Sequence, residues 1–196
     1  MHDPRVKFAL NVGYTVSPTG SDHCHNIHDV GFQTEDGIKD LYTVGILDPL
    51  PFDDLSAAKM RMAKHVINWQ TLKNCVGLCY SIPLTRPMMA ETLNAAAGWD
   101  MSVLELQEIG ERVYQMAREF NRRCGQAAAD DVPAQRFFEP LENGPHAGSK
   151  IPPEDFERAL SVFYDLMGWD HETGAPADWK LYSLGLDWIV EQRQAE

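Results

Sequence analysis

The stretch Asn74-Cys75-Val76-Gly77-Leu78-Cys79 places a thiol just past a helical run. A Gly-Leu-Cys step there sets a soft ligand at the mouth of a turn, where backbone N–H groups converge. That arrangement suits a metal cluster or an anionic cofactor better than a core. Cys75 and Cys79 are four residues apart and could share one helical face around one metal. A complete zinc or iron–sulfur site needs four ligands, and the chain has no second close cysteine pair. Cys79 is therefore either structural or one ligand of a site completed by another segment or chain.

The second dense stretch is Asp22-His23-Cys24-His25, with His28 three residues on. Three imidazoles, a carboxylate and a thiol within seven residues could bind zinc or iron. The imidazoles could equally serve as proton donors, since their ordinary pKa lies near neutrality. Plain hydrogen-bonding roles are the third possibility.

At 196 residues the chain can bury a real core, as one domain or two small ones. Its net charge of −12 and its lack of a basic block speak against a nucleic-acid partner, which needs clustered Lys and Arg. No apolar run reaches the roughly 20 residues of a membrane span. Met1-His2-Asp3-Pro4-Arg5 is not a signal core, so a cytoplasmic protein with reduced thiols is expected. Cys24 and Cys124 read as buried apolar residues or ligands.

Elements must hold the two stretches in place. Residues 1–50 are rich in Gly, Pro, His and Asp and read as turns. Lys7 to Val16 is a short helix or an irregular buried segment, and 26–52 is a loop ending at Asp48-Pro49-Leu50-Pro51. A helix capped by Asp53 or Asp54 runs to about Lys73, with Ala58, Met62, Val66, Trp69 and Lys73 on one line. A second, about 87–97, starts near Pro87 and stops at Gly98. Ser102-Val103-Leu104-Glu105 fits a capping box for a helix to about Cys124, with Leu106, Ile109, Val113, Met116 and Phe120 as its inner face. Gly125 fits its left-handed end. Residues 126–152 read as a loop, an interdomain excursion or a lid. Pro153 opens a helix to about Met167, and a last short helix starts near Asp178 and carries Leu181 and Leu184, with Trp188 and Ile189 following. The tryptophans are core by default. Asp53-Asp54 and Asp130-Asp131 read as caps and solvated loops. No strand pattern is convincing, so the fold class is all-α.

Several segments in order resemble the aldehyde ferredoxin oxidoreductases. They are His2-Asp3-Pro4-Arg5, Gly13-Tyr14-Thr15-Val16-Ser17-Pro18-Thr19-Gly20-Ser21-Asp22-His23, Asn74 to Cys79, Gly98-Trp99-Asp100, Gly110-Glu111-Arg112, Phe120-Asn121-Arg122, Arg136-Phe137 and Gly168-Trp169-Asp170. Each is short, but the ordered set covers nearly the whole chain. The resemblance implies that residues 1–196 form the mainly helical C-terminal region (domains 2/3) of such a protein. It implies a tungsten (or molybdenum) bis-pterin and a 4Fe–4S cluster, with aldehydes oxidised to carboxylates and ferredoxin as electron acceptor. Cys79 would be the cluster ligand, Asn74, Gly77 and Leu78 would face a pterin, and His23 would be the pocket histidine.

The same resemblance implies that the pterin-binding N-terminal domain and the cluster's other three cysteines must come from elsewhere, either an N-terminal portion or a partner subunit. Asn74 stands where the family carries an acid, and Thr19 where arginine is common. Ferredoxin docks indirectly unless Arg118, Arg122 and Arg123 make a basic patch. A face normally covered would favour homo-oligomers. Two alternatives are a non-catalytic helical interaction module and a small zinc protein using His23, Cys24, His25 and His28.

Overall fold

The computed structural model describes residues 2–195. They contain eight α-helices: α1 (Phe8–Val16), α2 (Glu35–Ile38), α3 (Ala57–Cys75), α4 (Arg86–Ala97), α5 (Val103–Arg123), α6 (Pro153–Met167), α7 (Asp178–Ser183) and α8 (Asp187–Ala195). Among these residues there is no strand, only one isolated bridge between Trp169 and Pro176. The all-α expectation holds.

The long helices α3 and α5 pack against each other, and α6 also packs on α3. The α3–α5 contact is close because Gly110 lacks a side chain: a Cβ there would lie 1.9 Å from the Asn68 carbonyl oxygen. Ser102 and Glu105 form the expected reciprocal capping box, and Gly98 and Gly168 stop α4 and α6 in the left-handed region. The cap of α3 is Ser56, not Asp53 or Asp54. Asp54 instead accepts from the Ser56 backbone and hydroxyl, orienting that cap.

Helix α1 is buried on nearly all sides. Its first turn has no local cap, so its free N–H groups are met from a distance. The Asp29 carboxylate accepts from Ala9 N at 3.3 Å and Leu10 N at 3.2 Å. Lys59 of α3 neutralises it at 3.2 Å, and both side chains are 0% exposed. The same ammonium donates to the Pro51 carbonyl at 2.8 Å. This pair fixes the start of α1, and so the loop beyond it, to the central helix.

The inner face of α5 is offset from its apolar line. Phe120 is 66% exposed, while Gln107, Glu111, Gln115, Arg118 and Glu119 are buried. Their partners come from remote segments. Gln115 donates to Met167 O at 2.8 Å and accepts from the Trp169 indole at 2.7 Å. Arg118 grips both oxygens of Asp131 at 3.0 and 2.5 Å. Asp131 is therefore a buried anchor and not a solvated loop residue, and Phe137 and Ile151 are buried core. The 126–152 segment is anchored to the body at Asp131, Phe137 and Ile151, with 142–148 exposed between the last two. Arg122, Arg123 and Arg193 converge on Glu119 and hold its carboxyl down to about 2 against the cost of burial. With Arg118 buried, no free basic patch forms there.

Other local expectations shift. Residues 29–44 coil into 3-10 turns and α2 instead of open loop. The last helical stretch breaks at Gly185 into α7 and α8, and Leu181, Leu184, Leu186 and Ile189 along it pack with Met116. Ala58 lies outside the buried line of α3. Trp69 and Trp169 are core, whereas Trp99, Trp179 and Trp188 are exposed. Cys124 is exposed, and so are Cys75 and Cys79.

Candidate functional site

One wall of the site is the loop from Ser17 to His28, hung from the C-terminal end of α1. Helix α5 pins its start: Tyr114 donates to Val16 O at 3.1 Å and Asn121 to Pro18 O at 2.8 Å. Asn26 pins its middle, donating to Asp22 O at 2.7 Å while packing against Gly13. Asp22 organises the turn. Its Oδ1 accepts from Cys24 N at 2.8 Å, and its Oδ2 lies 3.2 Å from His25 Nδ1.

The rings of His2, His23 and His28 meet edge to face, with centroids 4.8 to 5.9 Å apart. Lys7 sits between two of them. Its ammonium lies 3.2 Å from His2 Nδ1 and 2.9 Å from His28 Nδ1. His28 Nε2 lies 3.0 Å from His23 O. An ammonium has only protons to give, so His28 accepts at Nδ1 and donates at Nε2, which fixes one neutral tautomer. Burial pushes the His28 pKa down to about 4, and the charge of Lys7 adds to the effect. Burial also pulls Lys7 below the ordinary lysine range, with Asp29 opposing. His28 thus positions the His23 backbone and does not exchange protons near neutrality.

The other wall is the turn after α3. Leu78 N donates to Lys73 O at 2.9 Å and Gly77 N to Asn74 O at 3.0 Å, with Gly77 at φ +72°. That paired pattern is a Schellman stop, and Leu78 packs on the cluster of Trp69, Leu72 and Leu106. Gly77 and Leu78 thus have a local job in ending the helix. Asn74 and Cys79 are left exposed on the surface the stop creates. Lys73 stiffens the exit, donating to Tyr80 O at 3.0 Å and lying 5.7 Å from the Tyr80 ring centre.

The walls meet twice. The Tyr80 ring lies 5.7 Å from that of His28. Thr19 and His25 from the loop, with Asn74 and Cys75 from the helix end, line one cavity of about 170 Å³ backed by Val113, Tyr114 and Ala117 of α5. Sequence reading missed Lys7, Tyr80 and a role for His2. The Asn74–Cys79 motif ends one residue before Tyr80, and nothing local marks Lys7.

The donor set tests the cofactors that the family resemblance implies. An exposed thiol, an exposed amide and a glycine with nothing within 4 Å of its Cβ position form one open face. That face fits one side of a cofactor held mainly by other residues.

The family description "Aldehyde ferredoxin oxidoreductase, domains 2 & 3" matches residues 1–186. The chain belongs to this family. It is similar to the tungsten-containing aldehyde ferredoxin oxidoreductase of Pyrococcus furiosus, with 28% identity over 94% of this chain and 29% of the relative. Its counterpart in Pyrococcus abyssi is 31% identical over 96% of this chain and 30% of the relative. The chain therefore spans under a third of the length of these relatives. A solved structure, the active site complex BamBC of benzoyl coenzyme A reductase with 1,5-dienoyl-CoA, superposes with a TM-score of 0.54. That match has 22% identity and covers 68% of this chain and 20% of the other, a likeness of fold. No helix among the described residues is long and apolar enough to cross a membrane.

Proposed function

We propose that residues 1–196 form the helical part of an enzyme that oxidises aldehydes to carboxylates, completed by an N-terminal portion or a partner subunit. The observation that supports this is the meeting of the two motif walls: the His28 ring lies 5.7 Å from that of Tyr80, and Thr19 and His25 line one cavity with Asn74 and Cys75. An aldehyde and a water give a carboxylate, three protons and two electrons, so the site must handle protons and export electrons. When bound, a tungsten (or molybdenum) bis-pterin accepts the electron pair and a 4Fe–4S cluster relays it towards ferredoxin.

The chain's own residues do the rest. Cys79 supplies one thiolate to the cluster. Asn74 brings hydrogen bonds without charge to the pterin face, and the Gly77 turn lets that group approach the backbone. His23 holds or moves a proton at the substrate oxygen, positioned through its carbonyl by His28. Proton handling of this kind contributes about 10²–10⁴-fold.

The test is aldehyde-dependent dye reduction by the assembled enzyme carrying His23→Ala or Cys79→Ser. We expect a loss of turnover of that size for His23→Ala, and loss of cluster absorption as well for Cys79→Ser. Full activity in both variants would sink the proposal.

A further inference from the structure

We propose that Asp22, His23 and Cys24 form a site for one thiophilic divalent cation, Zn²⁺ for choice. The binding needs neither pterin nor cluster, and it competes with the proton-handling role proposed above for His23. The Asp22 carboxylate, a His23 ring nitrogen and the Cys24 sulfur all lie within 4.8 Å of one another, half-buried. The Cys24 Sγ to His23 Nε2 separation is 3.6 Å. Zinc bonds of about 2.3 Å to sulfur and about 2.05 Å to nitrogen, at a tetrahedral angle, put the two donors about 3.6 Å apart. One edge of the coordination tetrahedron is therefore already built.

The backbone holds these donors in place without a metal. Asp22 N donates to Gly20 O at 2.6 Å, Asn26 clamps Asp22 O at 2.7 Å, and Cys24 N rests on Asp22 Oδ1 at 2.8 Å. Asp22 Oδ2 lies 3.2 Å from His25 Nδ1, an outer partner of the kind that orients a ligating carboxylate. His28 does not belong to the set, because Lys7 and the His23 carbonyl occupy its two nitrogens. That separates this site from a four-ligand set of His23, Cys24, His25 and His28. A thiolate beside an imidazole selects zinc, cobalt or similar metals over magnesium and calcium. Three protein donors leave one coordination position open. A cation here occupies His23 Nε2, so metal-loaded chain loses that nitrogen for proton transfer.

The experiment titrates the reduced, metal-free chain of 196 residues with Co²⁺, then with Zn²⁺. The expected result is one equivalent of Co²⁺ with a thiolate-to-cobalt charge-transfer band, bleached by one equivalent of Zn²⁺. Cys24→Ser abolishes the band, the double variant Cys75→Ser/Cys79→Ser keeps it, and His25→Ala weakens binding about 10- to 100-fold. Circular dichroism confirms that each variant is folded. No cobalt uptake by folded chain, or a band that survives Cys24→Ser and vanishes without Cys75 and Cys79, overturns the proposal. The readout is metal binding alone, so failure here leaves the oxidoreductase proposal standing, and the converse also holds.

Discussion

Gly13→Ala should damage the site from inside α1, and a double-mutant cycle can show why. A Cβ at Gly13 would sit 1.9 Å from Asn26 Oδ1, about 1.5 Å short of the 3.4 Å at which ordinary contact begins. Asn26 is 2% exposed and cannot simply swing into water. Overpacking of this kind costs about 1–3 kcal/mol. Displacing Asn26 also breaks its bond to Asp22 O, worth about 0.5–1.5 kcal/mol. Alanine returns about 1 kcal/mol of helix propensity. The net loss is about 1–3 kcal/mol. Asn26→Ala alone should cost about 1 kcal/mol, since its Oδ1 has no hydrogen-bond partner to lose. In Gly13→Ala/Asn26→Ala the clash is gone. The double variant loses the Asn26 bond once and keeps the helix-propensity gain, so it should be about 2–4 kcal/mol more stable than the sum of the singles. Urea unfolding followed by circular dichroism measures the energies. Histidine NMR signals should report a displaced His23 loop in Gly13→Ala and its partial return in the double variant. Additivity within about 0.5 kcal/mol would refute the steric link between α1 and the loop.

Three further outcomes follow. Burial pushes both His28 and His65 from 6.5 down to about 4. The unfolded chain therefore binds more protons between those values, and stability is lost as pH falls from about 6.5 to about 4; the urea midpoint near pH 5 should lie below that near pH 7, and an equal or higher one contradicts the assignment. Asp29→Asn strands the fully buried Lys59 ammonium and uncaps α1, costing about 3–5 kcal/mol in the same unfolding assay. Phe120→Ser should change stability by under about 0.5 kcal/mol, because its ring faces solvent; a loss of 2 kcal/mol would restore it to the core.

What the sequence made legible was local. The Ser102–Glu105 box and the Gly98 and Gly168 stops each depend on residues within one helical turn, so spacing alone reveals them. The phase of α5 was not legible. Its buried side is lined by Gln115, Arg118 and Glu111, whose partners lie 13 to 69 positions away, so the apolar line is offset from it: Leu106 is buried, Ile109 and Met116 pack at its edge, and Phe120 is exposed. Of the Asp130-Asp131 pair, Asp130 is an exposed local cap as expected, and Asp131 misled for the same reason: only the fold brings Arg118 to it. At the site, the density of ligating types from Asp22 to His28 was visible, as was the Gly-Leu-Cys step. The Lys7 contact with His2 and His28 was not, because an isolated lysine carries no signal until the chain folds back over it. The fold also supplied a meaning for Gly77 and Leu78 as a helix stop, beside the one that family resemblance implies.

The central claim is that this chain completes a tungsten and iron–sulfur oxidoreductase. Its most direct test is metal analysis with a visible absorption spectrum, on the chain purified without air from its native source. The account predicts tungsten and iron migrating with the chain in a larger assembly, with the broad brown absorption of a cluster. A colourless particle of the chain alone, free of both metals, would contradict it.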